Sequence, residues 1–341
     1  MKLLNAICVA SLFATATVPA MAQDRTLIDA AKTEGEVVWY TTLVVDQVVR
    51  PIAEAFEAEY GIKVNFVSGN MNDVVSRLVN EGAAGTMVGD LWDGSTAFVT
   101  LRDAGLTEGF NAPAAANFKP EHKDPEGRWY AQFLQYPSAA INTELVAAEE
   151  APKTFEDLLG PKWKGRIGWT SSPGVNGPIG FIGNILNTMG EEQGRAYLEK
   201  LAQQEIANIP SNQRVVLDQA IAGQYPLVLQ VHNYHAALSK AKGAPIEIVY
   251  LPTNVGNMNT IGLVKGAPHP NAAKLLIDFI LSEGGQTILV NAGYIPANPA
   301  VDAESPELRP ETGGFKANVI GFDEYIEKKD HWTAIYKELF E

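Results

Sequence analysis

The order strand, helix, strand near the start of the chain constrains its fold most. Glu36-Val37-Val38-Trp39-Tyr40-Thr41 is β-branched and aromatic and follows Gly35, which marks a strand. From Asp46 to Tyr60, Val48, Val49, Ile52, Ala53 and Phe56 recur every three or four positions, the period of a helix with one buried face. Gly61 closes it, and Ile62-Lys63-Val64-Asn65-Phe66-Val67 alternates as a second strand. A helix between two strands over about 30 residues is a βαβ unit with parallel pairing.

The alternation continues. Helices are expected over 72–81, 96–104, 178–189, 191–204, 214–222, 234–241 and 271–281. Strands are expected over 89–92, 166–170, 226–231, 246–251 and 259–264, and residues 128–143 read as extended and continuous. Thr154 and Asp157 have the spacing of a capped helical turn. This pattern predicts α/β with mainly parallel sheets. At 341 residues the chain has room for two domains, hence two sheets side by side.

Met1-Lys2, an apolar stretch from Leu3 to Ala20, and Ala20-Met21-Ala22 read as a cleaved secretory signal peptide, residues 1–22. The stretch is interrupted by Asn5, Ser11, Thr15, Thr17 and Pro19, so it does not read as a spanning anchor. The single cysteine, Cys8, falls inside it. A chain beginning at Gln23 would carry no thiol, which excludes thiolate catalysis and Cys-bound zinc or iron–sulfur centres. The net charge of −14 argues against nucleic acid and against anionic membrane surfaces as partners.

Ligands of α/β sheets bind at loops beyond the carboxyl ends of strands. Thr41 and Thr42, Ser68 and Asn70, Asp93 and Ser95, and Ser171, Ser172 and Asn176 occupy such loops. The loop from Ser171 to Asn176 precedes a helix, whose free N–H groups and dipole favour an anion. Its plainer reading is that Ser172 or Asn176 caps that helix. Arg214 is the candidate cation to complete an anion site. His232-Asn233-Tyr234-His235 joins a strand to a helix, with Asn233 and Tyr234 as ligand candidates and an HxxH spacing that also suits hydrogen-bonded histidines. Trp39, Tyr40, Trp92 and Trp169 are expected in the core. No H-E-x-x-H, G-x-S-x-G or EF-hand pattern occurs. A secreted hydrolase with an Asp/Glu pair needs no motif and is the minor alternative.

Four phrases carry a resemblance. They are Ala55-Phe56 to Val64; Pro152-Lys153-Thr154-Phe155-Glu156-Asp157-Leu158-Leu159 running into Pro161-Lys162-Trp163-Lys164-Gly165-Arg166-Ile167; Val264-Lys265-Gly266-Ala267-Pro268-His269-Pro270 running into Asp278-Phe279; and Gly293-Tyr294-Ile295-Pro296. Together the chain resembles the solute-binding subunits of bacterial ABC importers, in the branch with ferric-ion-, thiamine- and phosphonate-binding proteins. The resemblance implies a type II periplasmic-binding-protein fold, with two parallel-rich sheets in two lobes joined by crossing strands. Lobe 1 would comprise 23–136 plus 258–305 and lobe 2 137–257, with 306–341 a helical tail packing on a lobe. It further implies a periplasmic monomer without enzymatic activity or cofactor. Such a monomer captures a small solute by lobe closure and hands it to an inner-membrane permease with its ATPase. The expected solute is a phosphorylated, phosphonate or carboxylate anion. In ferric-binding members two adjacent tyrosines supply phenolates where this chain has Tyr234 and His235, so iron held by that pair is the alternative.

Overall fold

The computed structural model describes residues 18–341. The expected leader lies outside these residues except for its last five, whose backbone belongs to the helix Val18–Glu34. The strands, in chain order, are β1 (Glu36–Thr41), β2 (Lys63–Ser68), β3 (Leu91–Gly94), β4 (Thr107–Glu108), β5 (Tyr130–Gln135), β6 (Pro137–Asn142), β7 (Ile167–Thr170), β8 (Ala207–Ile209), β9 (Leu227–His232), β10 (Ile246–Val249), β11 (Asn254–Val264), β12 (Ile295–Pro296) and β13 (Ala317–Val319).

The opening βαβ unit forms as expected. β1 and β2 pair in parallel from Glu36 with Lys63 to Thr41 with Ser68. Between them a π-helical turn, Val45–Val49, leads into the helix Arg50–Tyr60, which buries Ile52, Ala53 and Phe56. Gly61 ends that helix at φ 71°, a left-handed conformation that glycine adopts without steric cost. The helix Met71–Ala84 starts after β2 and Ala97–Asp103 after β3.

Two sheets result. The first runs β12-β5-β11-β3-β1-β2, with β4 and β13 also on β11; the second runs β10-β6-β9-β7-β8. Neither is mainly parallel, contrary to the sequence expectation. β1 is parallel to β2 and β3, and β7 to β8 and β9. β11 is antiparallel to β3, β4 and β5, and β6 to β9 and β10. The reason is topological. The chain leaves the first sheet through β5, enters the second through β6 one residue later, and returns through β11, so these strands run against their main-sheet neighbours, while β13 joins β11 in parallel.

Each sheet has its own core. Trp39, Phe56, Phe133, Ile261, Leu276 and Ile280 are among the buried residues of one. Trp169, Phe181, Ile185, Leu198 and Leu229 are among those of the other, joined by Trp332, Ile335 and Tyr336 of the C-terminal helix Phe322–Phe340. No described helix is long and apolar enough to cross a membrane.

Candidate functional site

The parallel strands decide where loops gather. The carboxyl ends of β1, β2 and β3 share one edge of the first sheet, and those of β7, β8 and β9 one edge of the second. Three helices start at the latter edge: Pro178–Met189, Gln213–Ile221 and Asn233–Ala241. Tyr294, just before β12, links the two edges. Its ring lies 5.7 Å from that of Tyr234 on the second sheet's side and 4.5 Å from Phe133, and the Asp93 charge on the first sheet's side helps burial raise its phenol pKa.

On the first edge, Asp93 is fully buried. One carboxylate oxygen accepts from the Trp39 indole at 2.9 Å, the other from the Thr42 amide at 2.9 Å and its hydroxyl at 2.6 Å. Burial pushes its pKa up to about 6, and those hydrogen bonds hold it below what burial alone would impose. Thr41 is buried, its hydroxyl accepting from the Leu43 amide. Asp93 lies within β3, not in a loop beyond it as expected, and ties that strand to the loop after β1. Asn70 caps the helix Met71–Ala84 by accepting from the Asp73 amide at 3.1 Å. Ser68 beside it is exposed, and Ser95 half-buried. Asp90, next to Trp92, accepts from Val38 and from the His269 amide and ring. Trp92 is core, stacked on Phe98.

On the second edge, the Ser171 and Ser172 hydroxyls donate to the carbonyls of Ile209 and Ser211, at 3.3 and 3.2 Å. Neither Ser172 nor Asn176 caps the helix Pro178–Met189. The residue before it is Gly177, and no side chain bonds its first turn. A Cβ on Gly180 would fall 1.7 Å from the Val175 carbonyl oxygen, so only glycine lets this loop fold over the helix start. Asn176 instead reaches the crossing strands. It donates to Gln135 at 3.1 Å and accepts from Asn257 at 3.2 Å. Arg214 lies in the first turn of the helix Gln213–Ile221, paired with Asp218 at 2.6 Å and donating to Ser239 at 3.0 Å.

The segment after β9 is the most crowded. Asn233 is fully buried and structural. It donates to Tyr250 and the Leu308 carbonyl and accepts from the Tyr234 amide. Tyr234 stacks on His232 at 5.3 Å, with His235 at 4.4 Å. Burial drives the Tyr234 phenol well above its ordinary pKa, and a hydrogen bond with Gln135 offsets part of that. Burial lowers His232 to about 3, helped by His235. Burial lowers His235 to about 4, with the Arg214 charge adding. The Nδ1 atoms of both imidazoles are buried without a hydrogen-bond partner. Both rings are therefore neutral near pH 7. Among the described residues no three His, Cys, Asp or Glu side chains are placed to share a metal ion.

The structure thus brings Asn176, Arg214, Asn233, Tyr234 and His235 to one edge with Ser171 and Ser172. It gathers Thr41, Thr42, Asp93 and Ser95 at the other, with Ser68 and Asn70 outermost. Sequence reasoning passed over Gln135, Asn257 and Tyr294. Asn257 left a signal, a buried amide in a run otherwise suited to a strand core, and Tyr294 sat in a quoted phrase without a role.

Residues 51–315 match the family model described as bacterial extracellular solute-binding protein. The chain is 25% identical over 274 residues to the Fe(3+)-binding periplasmic protein of Serratia marcescens, covering 78% of this chain and 80% of that one. Among solved structures it resembles iron-bound HitA from Pseudomonas aeruginosa, at a TM-score of 0.74 and 22% identity over 89% of this chain and 99% of that one. It also resembles the periplasmic binding protein AfuA from Actinobacillus pleuropneumoniae with fructose-6-phosphate bound, at 0.70 and 22%, over 90% and 98%.

Proposed function

The chain belongs to the bacterial extracellular solute-binding protein family, and on that premise we propose that it is the periplasmic capture component of an ABC importer for a small organic anion. It binds its solute and releases it unchanged; it is not an enzyme. Residues 23–136 with 258–305 form one lobe and 137–257 the other, with 306–341 a helical tail packing on a lobe. The separate cores of the two sheets support this division. Hinge closure brings the two strand-end edges onto the solute, and the closed form docks on an inner-membrane permease driven by its ATPase.

The observation that carries the anion is the convergence of three helix starts on one edge of the second sheet, with Arg214 in one of them. Each start adds about 0.3–1 kcal/mol of attraction for negative charge when exposed, and more when partly buried. Asn176 and the free N–H groups at the helix starts would hydrogen-bond the anionic group, with Ser171 and Ser172 lining it, and Tyr234 and Tyr294 would cover its apolar part. Native mass spectrometry of the protein taken from its own periplasm should show a phosphate, phosphonate or carboxylate compound bound one to one. Calorimetry with that compound should give no product, and scattering should show compaction. A protein that stays open with every such compound refutes the reading.

A second reading has its own observation. Tyr234 and Tyr294 place two phenols close together with His235 beside them, and phenolate is a ligand for ferric ion. Iron would then bind as cargo after both phenols lost their protons. Adding ferric citrate should produce a coloured tyrosinate charge-transfer band; a colourless titration removes this alternative.

A further inference from the structure

β9 carries one residue more than its partner β6. Ser138 faces Val231 and Ala140 faces Val228, so Ala139 alone opposes Leu229 and Gln230. Gln230 absorbs the extra residue at φ 57°. That left-handed conformation is uncommon for a residue other than glycine. Glycine would take it without strain, so the glutamine side chain needs a purpose, and it is only 4% exposed.

Beside the bulge lies a small, partly open pocket of about 10 Å³. Most of its polar side chains are satisfied. Asn184 donates to the Thr253 carbonyl at 3.0 Å and accepts from Asn318 at 2.7 Å. The Thr253 hydroxyl pairs with Thr188 at 2.8 Å, and Asn254 donates to the Leu251 and Lys316 carbonyls. Two buried atoms on the lining residues have no protein partner, Ser138 Oγ and Gln230 Oε1. A space of this size holds one water, which needs two to four polar partners. A bare calcium-sized cation would ask for about six oxygen ligands, and this site does not offer them.

We propose that the pocket binds a single water that donates to Gln230 Oε1 and pairs with Ser138 Oγ. This water-held bulge, we infer, aims the end of β9 into the cleft. Side chains alternate faces along a strand, so one inserted residue inverts every position after it. His232 points where it does, and Tyr234 meets Tyr294, because Gln230 is the inserted residue. Gln230 is thus a positioning residue. The device belongs to the scaffold and operates whether the cleft takes an organic anion or ferric ion.

The test uses the full chain. A crystal structure that resolves waters should show one within hydrogen-bonding distance of both orphan atoms, and water relaxation dispersion should count it as long-lived. Gln230→Gly keeps the backbone freedom and removes the acceptor. It should lose the water and weaken the nuclear Overhauser contact between the Tyr234 and Tyr294 rings; a lost water with that contact unchanged overturns the aiming role. Gln230→Val disfavours the left-handed backbone. It should abolish that contact and speed exchange of the His232 amide about tenfold or more through local opening. Ser138→Ala should shorten the water's residence and quicken the same amide by a smaller factor. A dry pocket in the unmodified protein overturns the proposal, as does a Gln230→Val protein with the ring contact and exchange rate unchanged. If Gln230→Val does not fold, Ser138→Ala decides: an unaltered water signal and exchange rate overturn the proposal.

Discussion

On the first sheet's edge Asp93 gives both carboxylate oxygens to protein donors, whereas on the second sheet's edge His232 and His235 each keep a buried Nδ1 without any. The first edge is tied internally: Asp93 in β3 holds Trp39 of β1 and Thr42 in the loop after it, although the neighbouring Trp92 indole N–H is buried without a partner. The second keeps two buried imidazole nitrogens without a protein partner. The contrast teaches that polar residues at strand ends do two jobs. A carboxylate whose partners are all internal ties neighbouring segments together; a buried group without a protein partner leaves its hydrogen bond to be made by something else.

Removing that tie should have the largest effect. Asp93→Ala leaves the Trp39 indole and the Thr42 amide and hydroxyl without their acceptor. It should lower unfolding free energy by about 3 kcal/mol in urea titration. A loss under about 1 kcal/mol would erase the distinction between the edges.

Acid should separate the edges next, because they titrate in opposite senses. His232 falls from an ordinary 6.5 to about 3 on folding and His235 to about 4. Their neutral forms stabilise the fold fully above pH 6.5, and that contribution is lost as pH drops toward the folded values. For His232 the loss reaches about 3 kcal/mol by pH 4. Asp93 rises from 3.8 to about 6, so its protonation returns about 2 kcal/mol over the same fall. Unfolding measured from pH 7 to 4 should show net destabilisation, steeper in Asp93→Asn and shallower in His232→Gln. A flat profile in the unmodified protein contradicts these assignments.

Arg214→Ala should weaken an organic anion at least tenfold, about 1.4 kcal/mol. Stability should move by under about 1 kcal/mol, because its pair with Asp218 is partly exposed. A smaller loss of affinity by calorimetry would take the anion away from this edge. Ser172→Ala should do least. Its hydroxyl already donates to the Ser211 carbonyl, so affinity should change by about threefold or less; a loss matching that of Arg214→Ala would make Ser172 a principal contact.

Much of the fold was legible because its signals are local. The helix expected over 178–189 runs Pro178–Met189, and the strand expected over Glu36 to Thr41 has those bounds. Thr154 accepts from the Asp157 amide and Asp157 from the Thr154 amide, as a capping pair should. The candidate site was legible only in part. Loop position singled out Tyr234 and Arg214, but nothing nearby in sequence said that Asp93 would be sealed by Trp39, 54 residues away. Tyr294 gained its meaning only from its ring contact with Tyr234, which is distant in sequence.

The sequence by itself determined the opening βαβ unit and most of the longer strands and helices, since periodicity, capping and turn chemistry act within a few residues, but not short strands such as β8 or the helix Glu283–Asn291. Tertiary structure alone decided which strands run antiparallel, that Gln230 is the inserted residue in β9, and which polar side chains are sealed and which stand open. Those outcomes depend on pairing and burial between distant segments. Whether a carboxylate or an imidazole finds a partner there is set by what packs against it.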